Sequence, residues 1–300
     1  MPPNPALARL GYDPDDRLVI IHQDDIGMCH ASVEAFRELW SAGAISSGSL
    51  MVPCSWFPAA AAAANEIPDA DLGVHATLTC EWDQYRWGPL STRDPASGLL
   101  DAEGYLPRGN AEVHEHLRPI AAINEVAAQV AHATRAGVRL THLDTHMGTV
   151  LHPHLAAGYL ETALAHGLVP MLLRRDEAQW RSSGASAEMA ALAARHVAEL
   201  EERGVPLIDQ IAGLPLDQAS APDERLLVLR HQLASLNLGI THLVVHASVD
   251  TPELRAIAPD WRCRVADHAV LLDPRTPALL REQGIHLIGY RELQQLLPAA

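Results

Sequence analysis

At 300 residues and 32.4 kDa the chain has room for one large domain or two small ones, and its 48% hydrophobic against 20% charged residues is the balance of a globular protein. No stretch approaches the roughly 18 apolar residues of a membrane span, and the opening MPPNPALARLGYDPDDR carries no basic-then-apolar signal, so the expectation is a cytoplasmic enzyme. A formal charge of −15, with lysine scarce against arginine, argues against nucleic acid as a partner, because phosphate binding needs clustered cations.

In chain order, short apolar runs alternate with stretches of helical period. Strands are predicted at Leu18–His22, Ser46–Val52, Leu72–Leu78, Val138–Asp144, Val169–Leu173, Pro206–Asp209, His242–His246 and His286–Ile288. Several are apolar almost throughout, as strands covered on both faces are. Helices are predicted at His30–Ala42, Ile120–Arg135, His154–His166, Ala187–Arg203 and Asp223–Leu236, with glycines just past most ends, and a short one opens at Thr276-Pro277. Eight strands separated by helices point to a (β/α) barrel, whole or with one strand irregular, in a single domain over residues 1–300, with an open doubly wound sheet as the alternative. Neither GxGxxG nor GxxxxGK[ST] occurs, so no dinucleotide or phosphate loop is supported. From Cys80 to about Val113 the chain reads as a long loop rich in Trp, Tyr and Pro, the kind that walls or covers a site.

Cys29, Cys54, Cys80 and Cys263 stand far apart and read as buried free thiols. Histidine is over-used, with 17 in the chain, so position has to decide which matter. In parallel α/β folds chemistry sits at the carboxyl ends of the strands. There stand Asp24-Asp25 on the first strand, His75 on the third, Asp144 and His146 on the fourth, Arg174 on the fifth and His246 on the seventh. Asp25, His75 and His146 form a three-ligand set of the catalytic metal type. Asp24 is then a general base and His246 a general acid. Adjacent strand residues face opposite ways, so both aspartates reach one pocket only if the chain bulges there, helped by Gly27. The competing reading of the pair is a helix N-cap. His22, His142 and His242 read as core or supporting groups. Asp144 orients a ligand histidine or meets substrate, and Arg174 binds a substrate oxygen or forms a structural ion pair. Trp82 and Trp87 either stack on a flat substrate ring or pack in the core.

The strings VIIHQDDIGM, GVHATLT, THLDTHMG and LVVHAS, in that order, resemble the YdjC-like (ChbG/HpnK) carbohydrate deacetylases of the polysaccharide deacetylase group. The resemblance implies a distorted (β/α) barrel and removal of an N-acetyl group from a sugar. It implies Asp24 as base, Asp25, His75 and His146 as ligands of one divalent ion (zinc or magnesium), and His246 as proton donor. A small carbohydrate substrate is the implied partner, without nucleic acid or membrane, and a homodimer is left open. Many members continue the fourth motif with further histidines, whereas Met147-Gly148-Thr149-Val150 follow here. A chitooligosaccharide substrate is therefore not carried over. The rival functions are another barrel metallohydrolase, such as a cyclic amidase or phosphoesterase, and a non-catalytic sugar-binding relative.

Overall fold

The computed structural model describes residues 1–298. Eight strands, β1 Arg17–Ile26, β2 Ser47–Leu50, β3 Leu72–Ala76, β4 Leu140–Thr145, β5 Val169–Pro170, β6 Gln210–Gly213, β7 Gly239–Val245 and β8 Ile285–Leu287, form one curled sheet. Its order is β5-β4-β3-β2-β1-β7-β6 and every pairing is parallel. β8 pairs with Arg17–Val19 of β1, below the point where β2 takes over at His22. A single parallel bridge, Leu173 to Ile208, draws the two outer edges together. The result is a distorted barrel: the alternation of strands and helices predicts the barrel, and the resemblance implies its distortion. No helix among the described residues is long and apolar enough to cross a membrane.

Period two explains the apolar strands. Along β1, Val19 and Ile21 pack outward with Phe36 and Leu39 of the helix His30–Ser41. Leu18 and Ile20 point the other way, into a cluster with Val169, Met171, Ile208, Ile240, Ile288 and Tyr290 that plugs the barrel. Continuing the inward register gives His22 and then Asp24. The interior is thus layered, with an apolar plug, then imidazoles, then carboxylates towards the carboxyl ends of the strands.

One strand lies elsewhere than predicted. Val205, Leu207 and Ile208 are buried apolar residues, but the ladder to β7 forms at Gln210–Gly213 rather than Pro206–Asp209. Pro206 has no N–H to give a ladder, and the Asp209 carboxylate instead accepts from the Ile240 N–H (2.8 Å) and the Asn4 amide (2.7 Å). The helix Phe57–Glu66 escapes pattern reading because its run of alanines carries no polar-apolar stripe.

Candidate metal and catalytic centre

The site begins with a break in β1. Between Gln23 and Ile26 the pairing with β2 gains one residue, and Asp25 takes a left-handed conformation at φ 61°. This is the bulge that two adjacent carboxylates need in order to share a pocket. Aspartate tolerates left-handed backbone better than most residues, yet such geometry still costs about 1–3 kcal/mol and persists because its surroundings hold it. Gly48 lies opposite, where a Cβ would fall 2.6 Å from Ile26 Cδ1 and 2.9 Å from the Gln23 carbonyl oxygen. Only glycine lets β2 follow the bulge so closely.

Asp25, His75 and His146 come together as the sequence reading expects. One ligand-type atom from each lies within 4.8 Å of the others, and all three residues are buried. Asp25 Oδ1 stands 3.5 Å from His75 Nε2 and 3.3 Å from His146 Nδ1, and is a buried oxygen with no hydrogen-bond partner. Its sister Oδ2 accepts from the Arg264 guanidinium at 2.8 Å. Each imidazole is backed on its far side. Asp144 meets His75 Nδ1 at 3.0 Å, and Glu81 meets His146 Nε2 at 3.1 Å. A carboxylate behind each imidazole fixes the tautomer that turns the other nitrogen inward, the usual support of metal-bound histidine. An orphaned carboxylate oxygen between two inward ring nitrogens therefore fits a divalent cation. Two nitrogens and one oxygen suit zinc and similar borderline ions, whereas magnesium prefers oxygen donors throughout.

Burial works against charge on all three residues, and specific partners outweigh it. The Asp144 and Asp24 carboxylates raise His75 to about 9. Glu81 and Asp25 raise His146 to about 10. His146 and Arg264 hold Asp25 well below the ordinary carboxylate value. In the metal-free protein both rings thus keep a proton at neutral pH and lose it only as pH climbs towards those values. Loading a divalent ion at neutral pH is expected to expel about two protons. Its affinity should strengthen with pH by up to about tenfold per unit for each proton released. Calorimetry in buffers of different protonation enthalpy counts those protons, and a count of zero at pH 7 would remove the two histidines from the ligand set.

Asp24 sits beside this centre, its Oδ2 3.7 Å from His75 Nε2. His22 Nδ1 is 2.6 Å from its Oδ1. Although burial opposes ionisation, His75 and His22 together lower the Asp24 carboxyl below its usual value, so it is ionised at neutral pH. His246 follows β7, faces the same cavity and carries a buried Nδ1 without a partner; its backbone N–H is fixed by Asp267 (2.9 Å). The cavity, about 450 Å³, is of small-ligand size. Its polar wall comes from β1, β3 and β4. Met147, Leu151, Met171, Ile211, Leu216 and Val244 make the other wall apolar. After His146 the chain turns left-handed at Met147 (φ 54°) and Gly148 (φ 70°) and puts Met147 on the rim.

For three residues read as substrate contacts, the structure places the side chain as the competing reading has it. Arg174 does not line the cavity: Glu201 (2.5 Å), the Pro2 carbonyl (2.8 Å) and Asp209 (3.6 Å) hold its guanidinium in the ion-pair role. The regular strand ends at Pro170, so Met171 takes the cavity position. Trp87 is a core residue, donating its indole N–H to the Thr79 carbonyl and setting its edge against Tyr85. Asp144 does line the cavity, with His75 (3.0 Å) and Ser49 (2.9 Å) at its two oxygens, the contacts that an orienting group would make. Trp82 is a buried member of the core that also lines the cavity, its ring 5.6 Å from the Arg264 guanidinium carbon. Two site residues escape sequence reading. Glu81 stands at the head of the loop after β3, where an acidic residue just beyond GVHATLTC was a legible hint. Arg264 lies in the helix Trp261–Leu271, and nothing in its local sequence links it to Asp25.

Known proteins resemble this chain in sequence and in fold. The chain is 33% identical to a carbohydrate deacetylase of Thermus thermophilus over 97% of its own length and 98% of that protein's. It is 23% identical to a carbohydrate deacetylase of Thermoanaerobacter pseudethanolicus over 93% and 100% of the two lengths. Among solved structures, a protein of Enterococcus faecalis whose name proposes cellobiose-phosphate cleavage superposes with a TM-score of 0.73 at 22% identity, covering 93% of this chain and 99% of that one, which shows a shared fold. The YdjC-like protein family model matches residues 18–282. That span takes in the bulged aspartate pair, both carboxylate-backed histidines and His246, and the chain belongs to the YdjC-like family.

Proposed function

We propose that the protein removes the acetyl group from an N-acetylated amino sugar or oligosaccharide in a metal-dependent hydrolysis, with Asp24 as general base and His246 as general acid. Membership of a family whose curated relatives are carbohydrate deacetylases makes it an amide hydrolase of that class. The observation that carries the detailed reading is the convergence of two carboxylate-backed imidazoles on the orphaned Asp25 Oδ1, with Asp24 beside it in one cavity. A divalent ion held by Asp25, His75 and His146 would lower the pKa of a water and polarise the acetamide carbonyl.

Asp24 Oδ2, the oxygen not engaged by His22, takes the proton of the attacking water. His246 gives a proton to the nitrogen as the C–N bond breaks, since an amine leaves poorly as an anion. Arg264 keeps Asp25 ionised and fixes which of its oxygens turns inward. The apolar wall suits the non-polar face of a sugar ring. The 22 basic residues of the chain are all arginine, and the one arginine lining the cavity is held by Asp25 and Asp260, so an uncharged sugar fits better than a phosphorylated one.

A two-metal phosphoesterase would need a second ligand set. His22, Asp24, Asp144 and His242 lie within 4.8 Å of one another. Their polar atoms are largely spoken for, however: His22 by Asp24 and His142, Asp144 by His75 and Ser49, and His242 Nδ1 by the Tyr290 hydroxyl (2.8 Å). One metal per chain is the expectation. The test is acetate release from a panel of N-acetylated sugars by protein stripped of metal and reloaded with zinc, other transition ions or magnesium. Release by no combination rejects the deacetylase. His246→Gln is expected to slow amide hydrolysis by about 10²-fold or more while largely sparing an activated aryl acetate, whose leaving group needs no proton. Equal losses on both substrates would reject His246 as the acid.

A further inference from the structure

The hydrogen bond from His22 to Asp24 is the last of a row that crosses the barrel interior. His22 Nε2 meets His142 Nε2 at 2.9 Å, His142 Nδ1 meets the Thr141 hydroxyl at 2.9 Å, and that hydroxyl reaches Asp71 Oδ1 at 2.5 Å. Asp71 stands just before β3, at the opposite end of the sheet from the metal centre, where its Oδ2 accepts from the Arg291 N–H (2.7 Å). Every side chain in the row is buried, and the two histidines and Thr141 are fully so. The His142 ring is clamped in orientation. Tyr290 stacks on it with centroids 3.9 Å apart, and on Gly73 a Cβ would lie 2.5 Å from the ring.

We propose that Asp71, Thr141 and His142 are positioning residues for Asp24, acting through His22; this rests on the reading of Asp24 as general base. Two imidazole nitrogens at hydrogen-bond distance require one to donate and the other to accept, so choosing a direction at one end of the row sets it at the other. In one arrangement Asp71 is ionised and accepts from Thr141, Thr141 accepts from His142 Nδ1–H, and His142 Nε2 accepts from a doubly protonated His22. In the other, Asp71 carries the proton and donates to Thr141, Thr141 donates to His142 Nδ1, and His142 Nε2–H donates to a neutral His22. Passing from the first to the second breaks three bonds to hydrogen and forms three. It transfers the equivalent of one proton from His22 to Asp71, with the proton count unchanged.

Both arrangements leave His22 with a proton on Nδ1, directed at Asp24 Oδ1. Asp24 Oδ2 is therefore always the oxygen left to take the proton of the attacking water. Burial raises the Asp71 carboxyl above its ordinary value, which brings the second arrangement within reach. A row that served packing alone would be as stable, or more so, with apolar groups of the same shape, since buried polar groups must be completely satisfied to avoid a penalty.

The experiment uses the full-length, metal-loaded protein and combines proton NMR with kinetics of acetate release. The wild type should show an exchange-protected, far-downfield imidazole proton that disappears in His22→Gln. Thr141→Val keeps the shape and removes the link; it should shift or broaden that resonance and lower kcat about 10–100-fold, with KM and metal content unchanged. Thr141→Ser restores the hydroxyl and should recover both signal and rate. Absence of the resonance from the wild type overturns the proposal, even if the valine variant does not fold. So does a valine variant with wild-type kcat and an unmoved resonance. A resonance that responds as expected in a protein releasing acetate from no sugar rejects the deacetylase reading, and with it a positioning role in that reaction, but not the hydrogen-bond row itself.

Discussion

Asp25→Ala is expected to lose the divalent ion and reduce acetate release to background. Removing even an outer partner of a metal ligand costs about 10–100-fold in affinity, and Asp25 is the only carboxylate in the three-residue set. The variant also leaves the Arg264 guanidinium without its 2.8 Å partner in a buried position. Breaking a buried ion pair from one side typically costs about 3–5 kcal/mol, so a loss of activity through misfolding must be separated from loss of the metal. Asp25→Asn does this. Its amide oxygen can still accept from Arg264 while offering the centre no negative charge. The asparagine variant should fold, bind metal at least about 10²-fold more weakly and remain inactive. Elemental analysis after dialysis against a weak chelator reads the result. A full complement of metal in both variants would exclude Asp25 from the ligand set.

Asp24→Asn is expected to behave differently: metal is retained, KM is little changed and kcat falls by about 10²–10⁴-fold, the range for loss of one general base. Asparagine preserves the volume and an acceptor for His22 Nδ1, so the row behind it stays intact while the group beside His75 becomes an NH2 that cannot take a proton. Activity within tenfold of wild type would move the base elsewhere. The contrast between the two neighbours is the informative result, because a bulge that merely served folding would give no reason for one aspartate to govern metal content and the other rate.

Much of this site was legible in the order of residue types. Strand ends are marked by apolar runs breaking into polar groups, and in a parallel fold those ends converge, so Asp24-Asp25, His75, His146 and His246 could be gathered without coordinates. The need for a bulge followed from the alternation of a regular strand, and the φ of Asp25 with the extra residue opposite Gly48 supplies it. The inward period of β1 likewise gave His22 a place in the interior.

Whatever depends on which long side chain reaches which partner was not legible. Arg174 stands at a strand end like the others, yet its flexible stem carries the charge to Glu201 and Asp209, because a guanidinium seeks carboxylates wherever its reach allows. Arg264 makes the reverse case, reaching Asp25 across 239 residues of chain from a helix with no local sign of function. The row from Asp71 to Asp24 joins β1, β4 and the residue before β3 through partners whose contacts exist only once the barrel curls. By itself the sequence determined the barrel and which aspartate and histidine side chains gather at its strand ends, because period and residue chemistry act locally. Only the tertiary structure decided the second partners, Glu81, Arg264 and His22 among them, because hydrogen-bond direction and charge pairing depend on distances that no local pattern encodes.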